Sequence, residues 1–184
     1  AQSSNVGAIT IGLRLGKRRF DHWVREFGFG EPTGVDLPGE ERGIVPTPDE
    51  YSGSSMGNLP IGQGLAVTPM QMAAAYAAIA NGGVLRTPHV IKEAGGREVG
   101  PDRGKRVISP RTAAQIRDML QGVLSPDGTA SEVSVPGYEL AGKTGTANKV
   151  DPETGEYSKS RYIASFVGFA PVDDPELLCA IVVD

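Results

Sequence analysis

The 184-residue sequence predicts an α+β fold in which a three-stranded antiparallel sheet packs with helices. Three observations predict it. Residues 138–147, 162–170 and 177–183 read as extended runs, and short polar connections make them neighbours. Two helices with proline in the first turn precede them, opened by Thr68-Pro69-Met70-Gln71 and by Ser109-Pro110. Residues 30–60 hold Pro32, Pro38, Pro46, Pro48 and Pro60 and several glycines, which excludes long helices there.

Composition narrows the function classes. The length suits one domain with a real hydrophobic core, and the net charge of −4 is mild. No basic stripe exists and the pI is about 5.3, so no nucleic-acid partner is expected. No apolar run approaches the roughly 18 residues that span a bilayer. Cys179 sits in the apolar run 177–183 and is expected to be a buried small hydrophobe. With one cysteine and only His22 and His89, neither a histidine triad nor a metal site nor a cofactor is expected.

Taken in order, Ser3, Ser4 or Asn5 caps a first helix whose apolar stripe is Ile9, Leu13 and Leu15. A second helix runs over 17–27, with Phe20, Trp23, Val24 and Phe27 as its inner face and Gly28 closing it. Trp23 is expected in the core, and His22 on the surface. The helix after Thr68 carries a capping box with Gln71, continues through Met72, Ala75, Tyr76 and Ile79, and stops at Asn81-Gly82-Gly83. Its alanines suggest close packing, and the preceding Gln63-Gly64 is expected to be structural. Residues 84–91 read as a short strand broken by Pro88, and 93–106 as a charged hairpin or loop. The helix from Ser109-Pro110 turns Ala114, Ile116, Met119, Leu120 and Val123 to one side. Residues 128–130 lie in a turn, and residues 148–160 read as a polar loop.

The stretch with chemistry is Ala141-Gly142-Lys143-Thr144-Gly145-Thr146-Ala147. An extended peptide can add itself to an exposed strand edge through main-chain hydrogen bonds. Lys143 would supply a positive field, Thr144 and Thr146 hydroxyls to hold a terminal carboxylate, and Gly145 an open approach.

Ser3-x-Asn5 together with Lys143-Thr144-Gly145 matches two of the three motifs of the penicillin-binding and serine β-lactamase superfamily. Thr33-Gly34-Val35-Asp36-Leu37-Pro38-Gly39-Glu40, Ile61-Gly62-Gln63-Gly64, Ala80-Asn81-Gly82-Gly83 and Ser165-Phe166-Val167-Gly168-Phe169-Ala170 follow in the expected order. The chain thus resembles the transpeptidase domain of class B penicillin-binding proteins, the cell-division and elongation type. That resemblance implies a partial transpeptidase fold and a serine acyl-enzyme mechanism. A serine attacks the D-alanyl-D-alanine end of a peptidoglycan stem peptide, and the acyl group passes to an amine on a neighbouring strand. It implies Ser3 as a proton relay near the leaving group, Asn5 orienting the nucleophile's lysine partner and the substrate amide, and Lys143 supporting the relay. Thr144 and Thr146 would bind the carboxylate or its β-lactam mimic, and the backbone N–H of Thr146 would be an oxyanion donor.

The implied partners are stem peptides, lipid-linked precursors, β-lactam antibiotics and other cell-wall synthesis proteins. The implied location is the extracytoplasmic face of a bacterial membrane, reached through a segment absent from this chain. One departure stands out: no serine here is followed three positions later by lysine, so the Ser-x-x-Lys nucleophile motif is missing. The expectation is a single partial domain, 1–184, lacking that N-terminal segment and a closing C-terminal helix. Such a piece is expected to be inactive alone and to self-associate through uncovered strand edges or helix faces. A β-lactamase fits less well, because no Glu-x-x-Leu-Asn segment lies between the motifs. A D,D-carboxypeptidase and a non-catalytic scaffold or antibiotic sensor are the alternatives. The 148–160 loop is expected to border the groove for the second peptide.

Overall fold

Three helix starts in this chain follow side chains, those of Ser4, Thr68 and Ser109, that accept orphan N–H groups of the first turn. In the computed structural model, which describes residues 2–100 and 102–184, Ser4 Oγ accepts from Gly7 N at 3.1 Å and opens α1 (Asn5–Leu15). Gly16, at φ 78°, turns the chain into α2 (Lys17–Glu26). The short α3 (Ser55–Asn58) leads into a 3-10 turn over Leu59–Ile61. The Thr68–Gln71 capping box starts α4 (Pro69–Ala80). Asn81 then hydrogen-bonds Val84 in both directions while Gly82 and Gly83 take positive φ, and the helix ends.

Two compact units are present, residues 4–116 and residues 2–3 with 117–184, and the division falls inside α5. The first unit is helical. Two small ladders trim it: β1 (Val84–Leu85) pairs antiparallel with β4 (Lys105–Arg106), and β2 (Glu93–Ala94) with β3 (Arg97–Glu98). Gly95 and Gly96, at φ 59° and 75°, make the two-residue turn between β2 and β3. Helix α5 (Pro110–Gln121) starts under Ser109, whose hydroxyl accepts from Thr112 N at 3.0 Å.

The apolar faces differ from the expected ones at four side chains. In α1 the residue packed inward is Gly12, not Leu13; a Cβ there would lie 2.4 Å from Pro60 Cγ, so backbone meets proline directly. Leu13 is 60% exposed. On α2, Phe20, Val24 and Phe27 are half-buried, but Trp23 is exposed and lies beside the His22 ring, on the flank of the face rather than its centre. Met119 is likewise exposed, because the buried line of α5 runs through Ala113. Cys179 is exposed as well.

Gln71 is the one fully buried polar side chain among the described residues, at 1% exposure. Its Oε1 accepts from Thr68 N at 2.9 Å, and its Nε2 donates to the carbonyls of Glu31 and Arg42 at 2.8 and 2.9 Å. One amide therefore caps α4 and pins the Pro- and Gly-rich excursion at residues 31 and 42. Inside that excursion Glu40 accepts from Thr33 N and Gly34 N, and Asp36 accepts from Val90 N and Ile91 N at 2.7 and 2.9 Å. The N–H of Val90 chiefly, then that of Ile91, holds the Asp36 carboxyl below the usual carboxylate range.

The second unit carries β5 (Ala141–Val150), β6 (Tyr157–Ala170) and β7 (Leu177–Val183), antiparallel in the order β5-β6-β7. This is the expected three-stranded sheet. Strand β5 begins later than its sequence suggests: Tyr138 is exposed and bridges only Val135. The 148–160 segment is mostly hairpin instead of loop. Val150 pairs with Tyr157, Asn148 Nδ2 donates to the Ser158 carbonyl, and Arg161 pairs with Asp151 at 2.9 Å. Backbone pairing there needs no apolar pattern, because solvent reaches its side chains. On β7 Leu177, Cys179 and Ile181 are exposed while Leu178 and Ala180 are half-buried, since strand side chains alternate between faces, and Val182 and Val183 are both exposed at the end of the strand.

Replacing Gln71 by leucine leaves two carbonyls and one N–H without their buried partner, at about 1–3 kcal/mol for each group not rescued by water. The Gln71→Leu chain should lose several kcal/mol in urea denaturation, while Thr68→Val should lose about 1 kcal/mol. Equal losses would show that Gln71 acts only through the cap.

Candidate active site

Strand β5 is an edge strand: β6 pairs with one side, and no described strand covers the other. Alternate N–H and C=O groups therefore point outward, as strand addition requires. Register places Lys143 opposite Val167, Thr144 opposite Phe166, Gly145 opposite Ser165 and Thr146 opposite Ala164. Lys143 and Thr144 therefore leave the strand toward opposite faces, apart from what the long lysine chain does at the edge.

That chain turns back. Lys143 Nζ donates to Ser3 Oγ at 2.7 Å and to the Thr144 carbonyl at 2.8 Å, and reaches Thr144 Oγ1 at 3.5 Å. No carboxylate pairs with it among the described residues, so an uncompensated positive charge stands at the strand edge. Burial pushes its pKa below the ordinary lysine value, because desolvation disfavours the ammonium. A hydroxyl held by a half-buried ammonium can exchange a proton with a bound group more readily than a free serine hydroxyl can.

Ser3 is the only non-glycine residue with positive φ among those described, at 51°. Such a conformation persists where surrounding contacts impose it and concentrates at functional sites. Asn5 is the first residue of α1, in the helical unit, and its side chain makes no hydrogen bond among the described residues. The two threonines differ. Thr144 Oγ1 is engaged by Lys143 and lies 3.3 Å from Thr129 Oγ1, whereas the Thr146 hydroxyl is exposed and unbonded among the described residues.

The glycines divide as well. A Cβ on Gly142 would sit 2.6 Å from Phe166 Cζ and 2.8 Å from the Val167 carbonyl, so the strand pairing itself demands glycine there. At Gly145 a Cβ would meet only Ser165 Oγ, at 2.5 Å, a hydroxyl that can rotate away. A side chain at 145 would thus have to displace the Ser165 hydroxyl, whereas glycine leaves it in place. Two residues at the site belong to none of the sequence motifs. Gln2 Nε2 donates to the Asp127 carbonyl at 2.8 Å, and Thr129 touches Thr144. Only the Gly128-Thr129-Ala130 turn just before β5 hints at the latter.

The geometry is that of a serine–lysine pair on the edge of an antiparallel sheet. The chain belongs to the penicillin binding protein transpeptidase domain family, whose model matches residues 1–184. It is 43% identical over 198 residues to penicillin-binding protein PbpB of Mycolicibacterium smegmatis, covering 100% of this chain and 30% of that protein. It is 32% identical over 183 residues to the probable peptidoglycan D,D-transpeptidase PenA of Neisseria meningitidis, again covering 100% of this chain and 30% of the relative. Among solved structures, penicillin binding protein 3 of Mycobacterium tuberculosis complexed with ampicillin matches with a TM-score of 0.94 and 43% identity. That match covers 100% of this chain and 43% of the other. The chain therefore spans about 30% of the length of the curated relatives it matches.

The lowered Lys143 pKa has a sign that stability can read. The fold penalises the ammonium in full below the lowered value, and the penalty fades as pH rises to the model-compound value of 10.5. Across that window the wild-type chain should gain stability relative to Lys143→Met. Urea midpoints of both chains from about pH 7 upward check it; parallel curves would show that Lys143 titrates normally.

Proposed function

We propose that the protein carrying this chain cross-links peptidoglycan by D,D-transpeptidation, and that residues 1–184 supply the strand edge and the proton-relay side of its active site. The observation that carries this reading is the 2.7 Å hydrogen bond from Lys143 to Ser3, formed beside an unpaired strand edge. The name of the Neisseria relative and the ampicillin complex of the mycobacterial structure support it.

In this reading a stem peptide ending in D-alanyl-D-alanine lies antiparallel along β5. Its terminal carboxylate, or that of a β-lactam, meets the positive field of Lys143 and the free hydroxyl of Thr146, with Thr144 lining the same strand. Gly145 leaves room for the substrate backbone. The nucleophilic serine and its lysine partner come from outside these residues, since no serine here has lysine three positions on. Ser3 passes the proton toward the leaving amine, with Lys143 tuning its hydroxyl, and Asn5 orients the nucleophile's partner and the substrate amide. The backbone N–H of Thr146 supplies one oxyanion contact. The β5–β6 hairpin beyond Asn148 borders the entry of the acceptor amine. The site then works at the extracytoplasmic face of the membrane, where its substrate is; no described helix is long and apolar enough to cross a bilayer.

Intact-mass spectrometry after incubation with ampicillin tests the reading. The full-length protein should gain one covalent ampicillin and the 184-residue chain none. Replacing Thr146 by valine in the full-length protein should slow acylation roughly 10- to 100-fold, the worth of one hydrogen bond to a charged group. No adduct on the full-length protein would replace the enzyme reading by that of a non-catalytic scaffold.

A further inference from the structure

We propose that the turn at residues 125–130 is a positioning element for the Ser3–Lys143 pair, with Gln2 and Thr129 as its two contact residues. The claim about function rests on the transpeptidase reading; the claim about geometry does not.

Ser3 needs something to hold it. Its backbone sits in the left-handed region, which a serine leaves unless neighbouring contacts forbid it. Two side-chain hydrogen bonds tie residues 2 and 3 to the rest of their unit among the described residues. One is the Lys143–Ser3 bond itself, and the other runs from Gln2 Nε2 to the carbonyl of Asp127. A bond between the two site residues cannot position both of them. The Gln2 contact is therefore the external anchor, one residue from the strained backbone.

The turn that offers this carbonyl is built to stay in place. Ser125 Oγ donates to the Gly122 carbonyl, Gly128 N to the Ser125 carbonyl and Ala130 N to the Val123 carbonyl, at 2.8, 2.8 and 3.0 Å. Val123 and Ala130 are buried, at 2% and 5% exposure. A Cβ on Gly128 would lie 2.0 Å from the Val123 carbonyl oxygen, so no other residue fits the turn. Two residues after Asp127 the same turn places Thr129 Oγ1 at 3.3 Å from Thr144 Oγ1. Thr144 in turn contacts Lys143 Nζ through both its carbonyl and its hydroxyl.

One rigid turn thus grips the serine segment on one side and the lysine strand on the other. The distance between the Ser3 hydroxyl and the Lys143 ammonium follows from it. Among the described residues neither Gln2 nor Thr129 hydrogen-bonds the Ser3 hydroxyl or the Lys143 ammonium, so both act through the pair they hold.

The test has two readouts. In the 184-residue chain, the NMR titration of the Lys143 side chain is followed in wild type, Ser3→Ala, Gln2→Leu, Thr129→Val and Thr129→Ser. Gln2→Leu and Thr129→Val should move the Lys143 titration toward that of Ser3→Ala, while Thr129→Ser, which keeps the hydroxyl, should stay with wild type. In the full-length protein the same two disruptive variants should slow acylation by ampicillin roughly 10- to 100-fold at unchanged melting temperature, as misplacement of a reacting group does. A Lys143 titration untouched by both Gln2→Leu and Thr129→Val would overturn the proposal, as would a Thr129→Ser chain that behaves like Thr129→Val. If wild-type full-length protein takes no ampicillin while the titrations shift as expected, the positioning stands and the transpeptidase reading fails.

Discussion

An ammonium taken partly out of water must find acceptors, and in the sheet unit Lys143 finds them without a carboxylate. This constraint organises the site. A neutral partner set leaves the charge uncompensated, so the field remains available to an incoming anion; an ion pair would have cancelled it. Satisfying the lysine with a serine hydroxyl and a backbone carbonyl also leaves the hydroxyl polarised. The sheet supplies the rest: β5 must lie at an edge, and Gly142 must be glycine, or Phe166 and the Val167 carbonyl would push the strand off its partner and take Lys143 with it.

The helical unit solves a different problem by similar means. A Pro- and Gly-rich excursion cannot satisfy its own backbone groups through regular structure. The chain instead recruits single side chains that each serve several backbone partners: Gln71 for Thr68, Glu31 and Arg42, Glu40 for Thr33 and Gly34, and Asp36 for Val90 and Ile91. Close approach of backbone follows where side chains vanish. The Ala66 carbonyl, which accepts from Ile44 N, lies where a Cβ on Gly43 would clash with it, and Pro60 lies where a Cβ on Gly12 would. Irregular backbone here is held by polar anchors that each bond more than one backbone group.

Local chemistry explains what the sequence made legible. The capping box at Thr68, the stop at Asn81-Gly82-Gly83 and the glycine turn of the β2–β3 hairpin depend on residues a few positions apart, and each is where its pattern places it. Three adjacent antiparallel strands were readable for the same reason. Faces were less so. Leu13, Trp23, Met119 and Cys179 are apolar in an apolar pattern, yet burial depends on which neighbour arrives, and at α1 that neighbour is Pro60 meeting a glycine. The hairpin over residues 148–160 was hidden by its polarity: main-chain pairing decides strand there, and an alternation rule sees only side chains. At the site, Lys143, Thr144 and Thr146 stand on one legible strand. The contacts of Gln2 with Asp127 and of Thr129 with Thr144 span 125 and 15 residues, and no spacing rule reaches across such separations.

An unpaired strand edge is ordinarily a hazard, since it invites any other strand to pair with it. Along β5 the hazard is contained by composition: Lys143, Thr144, Thr146, Asn148 and Lys149 stand among Gly142, Gly145 and Ala147, so the edge offers main-chain hydrogen bonds with little apolar surface. A second protein strand gains little there beyond its backbone bonds, and it must bring something to meet the lysine charge. A short extended peptide ending in a carboxylate meets both conditions at once. In the transpeptidase reading proposed above, the residues that keep the edge from indiscriminate pairing are the same ones that meet the carboxylate end of the peptide.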